Sequence, residues 1–146
     1  MKNTELKFVI KKVDTSKATN KSIIIDLQHD TLPHDRIYPV NKGDWWIVYC
    51  DREPVAYAGM VPSSRWSDTG YMCRSGVREK YRGNGLQKRL IAVRKKRAKE
   101  LGYNWIITDT SYNPASANNL IDCGFRMYEP SREWAYSYSC YWKCKL

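Results

Sequence analysis

A turn bearing two glycines lies where a strand gives way to a helix, and it restricts the folds open to this chain more than any other segment. Residues Thr69 to Val77 read as a strand, and Leu86 to Leu101 carry a helical pattern. Between them stands Arg78-Glu79-Lys80-Tyr81-Arg82-Gly83-Asn84-Gly85. Glycines let the backbone turn so that successive N–H groups point into one concavity, and the following helix adds the partial positive charge of its N-terminus. Such a turn binds phosphate. It also serves as a plain strand-to-helix connection, and two glycines alone leave both readings open.

The flanking sequence supplies the other elements of a mixed α/β chain. Glu5 to Val13 alternates Leu6, Phe8 and Ile10 with charged neighbours, the period of a half-buried strand. Asp14 to Leu32 is mostly polar around Ile23, Ile24 and Leu27, which predicts a helix ending before Pro33. Trp45 to Cys50 and Val55 to Val61 form a predicted hairpin across Asp51-Arg52-Glu53-Pro54. In the helix after the turn, Leu86, Leu90, Val93 and Leu101 share a stripe with Ile91 and Ala98 on its shoulder. Lys88, Arg89, Lys95, Lys96 and Lys99 lie opposite, Arg97 interrupts the stripe and snorkels, and Gly102 ends the helix. A strand from Trp105 to Thr110, a short helix near Ser116 to Cys123, a strand from Phe125 and an alternating strand from Trp134 to Cys144 complete the pattern.

Charge narrows the partners. With 25 Lys and Arg against 15 Asp and Glu, the net charge is +10, which favours a polyanion such as a phosphate-rich cofactor, nucleic acid or an anionic surface. Much of that charge lies between Arg78 and Lys99. No apolar run approaches the roughly 20 residues of a spanning helix, so no membrane partner is expected. The first residues lack the apolar core and cleavage site of a secretory signal, so a cytoplasmic location is expected. Five cysteines without a C-x-x-C pair, and histidines only at 29 and 34, read as reduced thiols without a metal site.

More than the glycines marks the turn. Arg82-Gly83-Asn84-Gly85-Leu86-Gln87 resembles the pyrophosphate loop of the Gcn5-related N-acetyltransferases (GNAT), whose pattern is Gln/Arg-x-x-Gly-x-Gly/Ala, with Gln87 in place of the last Gly/Ala. Asn113-Pro114-Ala115-Ser116, followed by Gly124-Phe125, resembles that family's second hallmark. The order of elements agrees, and the resemblance covers most of the chain. It implies one GNAT domain over residues 1–146. Its fold would be a central, mostly antiparallel twisted sheet, splayed between strands 4 and 5 and flanked by helices.

The resemblance further implies acetyl-CoA as acetyl donor and no metal. The pantetheine arm would enter the splay and pair with main-chain groups of Ser75 and Val77. Backbone N–H groups of Arg82, Gly83, Asn84, Gly85, Leu86 and Gln87 would cradle the pyrophosphate, with Arg78, Lys80 and Lys88 near the phosphates. Asn113 would contact the arm, and Ser116 would assist. The implied reaction is direct attack of an amine on the thioester, with the Val77 N–H polarising its oxygen. An amine must lose a proton to attack, so a general base is needed, and the candidates are Asp68, Asp109 and Tyr112. Where many members carry a tyrosine acid, this chain has Leu120. Cys73 and Cys123 lie close to the expected cofactor and read as inert thiols.

Two alternatives stand beside this. A nucleic-acid-binding protein would use the basic helix together with Trp134, Tyr136, Tyr138, Tyr141 and Trp142. A GNAT enzyme acting on the amino acid of charged transfer RNA would combine both properties. The acceptor amine, on a small molecule, a peptide or protein, or transfer RNA, would meet Ile25 to Pro39 and Tyr128 to Trp142. Those segments carry Asp26, Asp30, Asp35 and Glu129. Apolar and aromatic surface near the last strands would suit a homodimer.

Overall fold

Alternating strand and helix segments assemble into one mixed sheet in the computed structural model, which describes residues 5–146. Met1 to Thr4, which the reading of 1–146 as one domain takes in, lie outside the described residues. The strands are β1 (Phe8–Val13), β2 (Asp44–Cys50), β3 (Glu53–Pro62), β4 (Thr69–Val77), β5 (Trp105–Thr110), β6 (Arg126–Tyr128) and β7 (Cys140–Lys145). The helices are α1 (Ala18–Thr31), α2 (Leu86–Glu100) and α3 (Pro114–Asp122). Sheet order is β1-β2-β3-β4-β5-β7-β6, and every neighbouring pair is antiparallel except β4 with β5. Among the described residues no helix is long and apolar enough to cross a membrane.

The exceptional pair positions the site. β4 and β5 pair in parallel only at Thr69↔Trp105, Gly70↔Ile106 and Tyr71↔Ile107, after which the strands part. At that apex the Thr108 hydroxyl donates to the Met72 carbonyl at 2.8 Å, a side chain completing a bond that the ladder no longer makes. Opposite, β3 steps from Gly59 to Val61 while β4 steps from Arg74 to Tyr71. Met72 and Cys73 therefore face Met60 as a bulge, which bends β4 away from β5.

Helices cover both faces. On one, Leu86, Leu90, Ile91 and Ala98 of α2 pack with Leu120 of α3 on Met72, Ile106 and Trp142. On the other, Ile24 and Leu27 of α1 pack on Trp45, Ile47 and Tyr57. A sheet buried on both faces explains why β2 and β3 read as nearly continuous apolar runs.

Two expectations from the sequence change. The buried stripe of α2 is Leu86, Leu90, Arg94 and Ala98, with Ile91 beside it, whereas Val93 is half-buried and Leu101 is exposed. Arg97 does not interrupt the buried stripe; it sits at the helix edge against Asp44 at 3.2 Å. The expected strand from Trp134 to Cys144 begins only at Cys140. The Tyr141 hydroxyl accepts from the N–H groups of Trp134 and Ala135, at 3.1 and 3.0 Å, and holds the preceding segment as a loop.

Candidate active site

The glycine turn leaves a row of unused donors. Gly83 and Gly85 have φ of 81° and 72°, and a Cβ at either would meet open space. Positive φ is the reason for glycine here, since L side chains rarely adopt it. Among the described residues, no N–H from Gly83 to Lys88 has a hydrogen-bond partner; the first helical bond is Arg89 N–H to Gly85 carbonyl. The Asn84 amide folds back to the Tyr81 carbonyl at 2.9 Å, clear of the concavity. The Leu86 side chain is buried beneath, and Gln87 is half-buried on the first turn of α2. Arg82 departs from its expected role, because its N–H already donates to Glu79 at 3.2 Å and its guanidinium Nε to the Val77 carbonyl at 3.2 Å. The 3₁₀ turn Glu79–Tyr81 consumes that donor.

The turn opens onto the splay. Arg78 N–H donates to the Val55 carbonyl at 2.9 Å. Antiparallel pairing alternates, so Gly76 and Arg74 also face β3 while the main-chain groups of Ser75 and Val77 face the gap. Asn113 caps α3: its side-chain oxygen accepts from the Ser116 N–H at 3.1 Å, and Pro114 follows. Its amide nitrogen remains available, and Ser116 lies one turn along at half exposure.

The three candidate bases fall in different places. Asp68 is exposed and immediately precedes β4, at the opposite end of that strand from Ser75 and Val77; the structure does not bring it to the site. Tyr112 is 89% exposed. Asp109 lies on the splayed part of β5, on the α1 face, where the Tyr71 hydroxyl of β4 donates to it at 2.6 Å. That bond spans the gap just beyond its apex. Burial, followed by the Asp109 carboxylate, pushes the Tyr71 hydroxyl far above its ordinary pKa, so Tyr71 stays a donor. Trp134 stands edge-on to Tyr71 at 5.6 Å, and Tyr141 packs on Trp134 at 4.7 Å. Among the described residues no cation pairs with Asp109.

Two of the acidic groups on the acceptor-facing segments are committed. Asp30 pairs with Arg78 and Asp35 with Arg74, each at 2.9 Å, tying the end of α1 and its following loop to β4. Leu120 is 4% exposed and belongs to the core, so it offers no proton. Burial pushes the Cys73 thiol up to about 12, and burial also raises Cys123, which leaves both as poor nucleophiles near neutrality. Sequence patterns did not single out Tyr71, whose partner lies 38 residues away. Arg94 was legible in principle, since Leu86, Leu90, Arg94 and Ala98 are spaced by four.

Comparison with known proteins decides the family, because the acetyltransferase (GNAT) family pattern matches residues 18–125. The chain belongs to the GNAT family. Comparison with curated proteins gives no match. Among solved structures, this GNAT chain is similar to a Bacillus subtilis acetyltransferase in complex with CoA, with TM-score 0.75 and 16% identity over 96% of this chain and 99% of that one. It is similar to the ribosomal-protein-S18-alanine N-acetyltransferase from Escherichia coli, with TM-score 0.75 and 12% identity over 95% and 94% of the two chains. It is also similar to an IAA acetyltransferase from Bacillus cereus, with TM-score 0.73 and 17% identity over 96% and 100%. These likenesses establish the GNAT fold.

Proposed function

We propose that this protein transfers an acetyl group from acetyl-CoA to an amine by direct attack. The observation that carries the proposal is the uninterrupted row of free N–H groups from Gly83 to Lys88, opening onto a gap edged by the main chain of Ser75 and the N–H of Val77, whose carbonyl accepts from Arg82. These groups suit a pyrophosphate followed by an arm bearing amides, and a structural relative is recorded with CoA. Acetyl-CoA supplies an activated acyl carbon. The protein aligns it, donates the Val77 N–H to the carbonyl oxygen and receives the amine from the α1 face.

Asp109 accepts the amine's proton there, held in place by Tyr71. The aromatic wall of Trp134 and Tyr141 around an uncompensated carboxylate suits a cationic amine group. Thiols as unreactive as Cys73 and Cys123 support transfer without an acetyl-enzyme.

A panel of amines, peptides and charged transfer RNA, assayed for CoA release from acetyl-CoA, tests the proposal. CoA is expected to raise the melting temperature, and Gly85→Glu, which adds strain and negative charge to the cradle, is expected to abolish that rise. A wild-type melting curve indifferent to CoA overturns the proposal. A stable acetyl-cysteine formed with acetyl-CoA alone overturns direct transfer.

A further inference from the structure

Arg94 is an unusual group to find inside α2. It is 3% exposed and sits on the stripe that packs against the sheet. Its Nε donates to the Leu90 carbonyl at 3.0 Å and its Nη1 to the Gly59 carbonyl at 3.4 Å. Among the described residues no carboxylate pairs with it. A guanidinium has five donors, and a buried cation without an anion is costly. Burial pulls its pKa down to about 10, which still leaves it charged near neutrality.

Its location gives the charge a use. Gly59 pairs with Arg74 beside the bulge, so its carbonyl lies between β3 and β4. One strand spacing further, about 5 Å, is the edge of β4 that faces the gap. The arm of acetyl-CoA would enter past Val77 and run along β4 toward the apex, so its sulfur end comes to rest over the same stretch. Asp109 is on the α1 face and Arg94 comes from α2, so the proton acceptor and the cation address the gap from opposite faces of the sheet. Burial raises the Cys73 thiol of β4, and the positive charge of Arg94 is the foremost influence opposing that rise.

We propose that Arg94 stabilises the departing thiolate of CoA, compensating for the absence of a tyrosine acid at Leu120. This rests on the acetyl-transfer function proposed above. The amine nitrogen bonds to the acetyl carbon, and the carbon–sulfur bond breaks with its electron pair passing to sulfur. The nitrogen's proton goes to Asp109. The thiolate leaves as an anion facing the guanidinium and takes a proton from solvent afterwards. A fixed, desolvated cation of this kind requires no reorganisation during reaction.

The test titrates the thiol of bound CoA by its thiolate ultraviolet absorbance, with desulfo-CoA affinity as a control for the groove. In the wild type the bound thiol is expected to ionise about one pH unit or more below free CoA. Arg94→Met removes that difference and lowers kcat at least about tenfold, Arg94→Lys restores part of both, and desulfo-CoA binds all three proteins alike. CoA that binds the wild type with an unshifted thiol overturns this inference alone, and needs no variant to show it. Desulfo-CoA affinity falling in step with kcat would mean that Arg94 only props the groove, which also overturns it. Failure of the wild type to bind CoA at all overturns the acetyl-transfer proposal, and this inference with it.

Discussion

Asp109 is held by one neutral hydroxyl, while Asp30 and Asp35 are neutralised by arginines. In a chain of net charge +10, a carboxylate just beyond the apex of the gap that has no cation among the described residues is available to a cationic amine. Asp109→Asn keeps the bond from Tyr71 but accepts no proton, so kcat should drop by about 10²- to 10⁴-fold with CoA affinity unchanged. Steady-state kinetics beside a CoA melting shift read both, and a kcat within a few-fold of wild type would remove Asp109 from the mechanism. Tyr57 makes a different prediction. It is wholly buried, and burial raises its hydroxyl from 10.0 to about 12. Thr31 lies close enough to favour the phenolate slightly, yet the hydroxyl completes no hydrogen bond. With the folded pKa above the unfolded one, this contribution to stability is intact below pH 10 and is lost as pH rises toward 12. Tyr57→Phe should cost little near neutrality and flatten the alkaline decline by on the order of 2 kcal/mol, as read by urea melts across that window.

Elements show which parts of the molecule could be read before the fold was seen. The strands Thr69–Val77 and Trp105–Thr110 have the expected bounds, because the polar loop before Thr69, the glycine turn after Val77 and Gly102 before Trp105 delimit them. The glycine turn was legible because positive φ selects glycine almost uniquely. Helix α2 was legible as a helix but not in its facing: Arg94 lies on the inward row, and a charged residue there defeats any pattern that equates apolar with buried. The Trp134 to Ser139 loop mimicked a strand, since its alternating aromatics answer to the Tyr141 hydroxyl and to the Tyr136–Tyr138 stack at 5.2 Å rather than to a sheet. The Tyr71–Asp109 contact left no local signature at all. At α3 the cap separates two roles of one residue. Asn113 uses its oxygen to hold the Ser116 N–H, and only its amide nitrogen is free for a ligand. Asn113→Ala should therefore destabilise the fold by about 1 kcal/mol. Asn113→Asp should preserve the cap and stability while weakening CoA binding, by loss of a donor and gain of a negative charge. Chemical denaturation paired with CoA titration separates them, and an Asn113→Asp protein that binds CoA normally would confine Asn113 to capping.

Across the whole molecule the basic surplus is less available than the sequence suggests. Within α2, Lys88 pairs with Asp122 at 2.7 Å, Lys95 holds the Cys123 carbonyl at 2.7 Å and Arg97 bridges Asp44 and Glu100. Arg94 is inside, so among the described residues Arg89, Lys96 and Lys99 remain the exposed cations of that helix without an ion-pair partner. Three charges along one helix make a thin footprint for a nucleic acid, and the denser concentration of donors is the row of N–H groups at its start. The sheet continues that row: the splay removes the neighbour that β4 would otherwise have, and alternation along the strand sends Ser75 and Val77 to the open side while Arg74 and Gly76 stay bonded to β3. Amide hydrogen exchange can read this alternation directly. In the free protein the amides from Gly83 to Lys88, with those of Ser75 and Val77, should exchange fast, and those of Arg74 and Gly76 slowly. Saturating CoA should slow the first group by about tenfold or more and leave Arg74 and Gly76 unchanged. Protection at Gly83 to Lys88 without any at Ser75 and Val77 would mean that the phosphates dock while the arm takes another path, which would place the thioester, and with it the attacking amine, outside the gap.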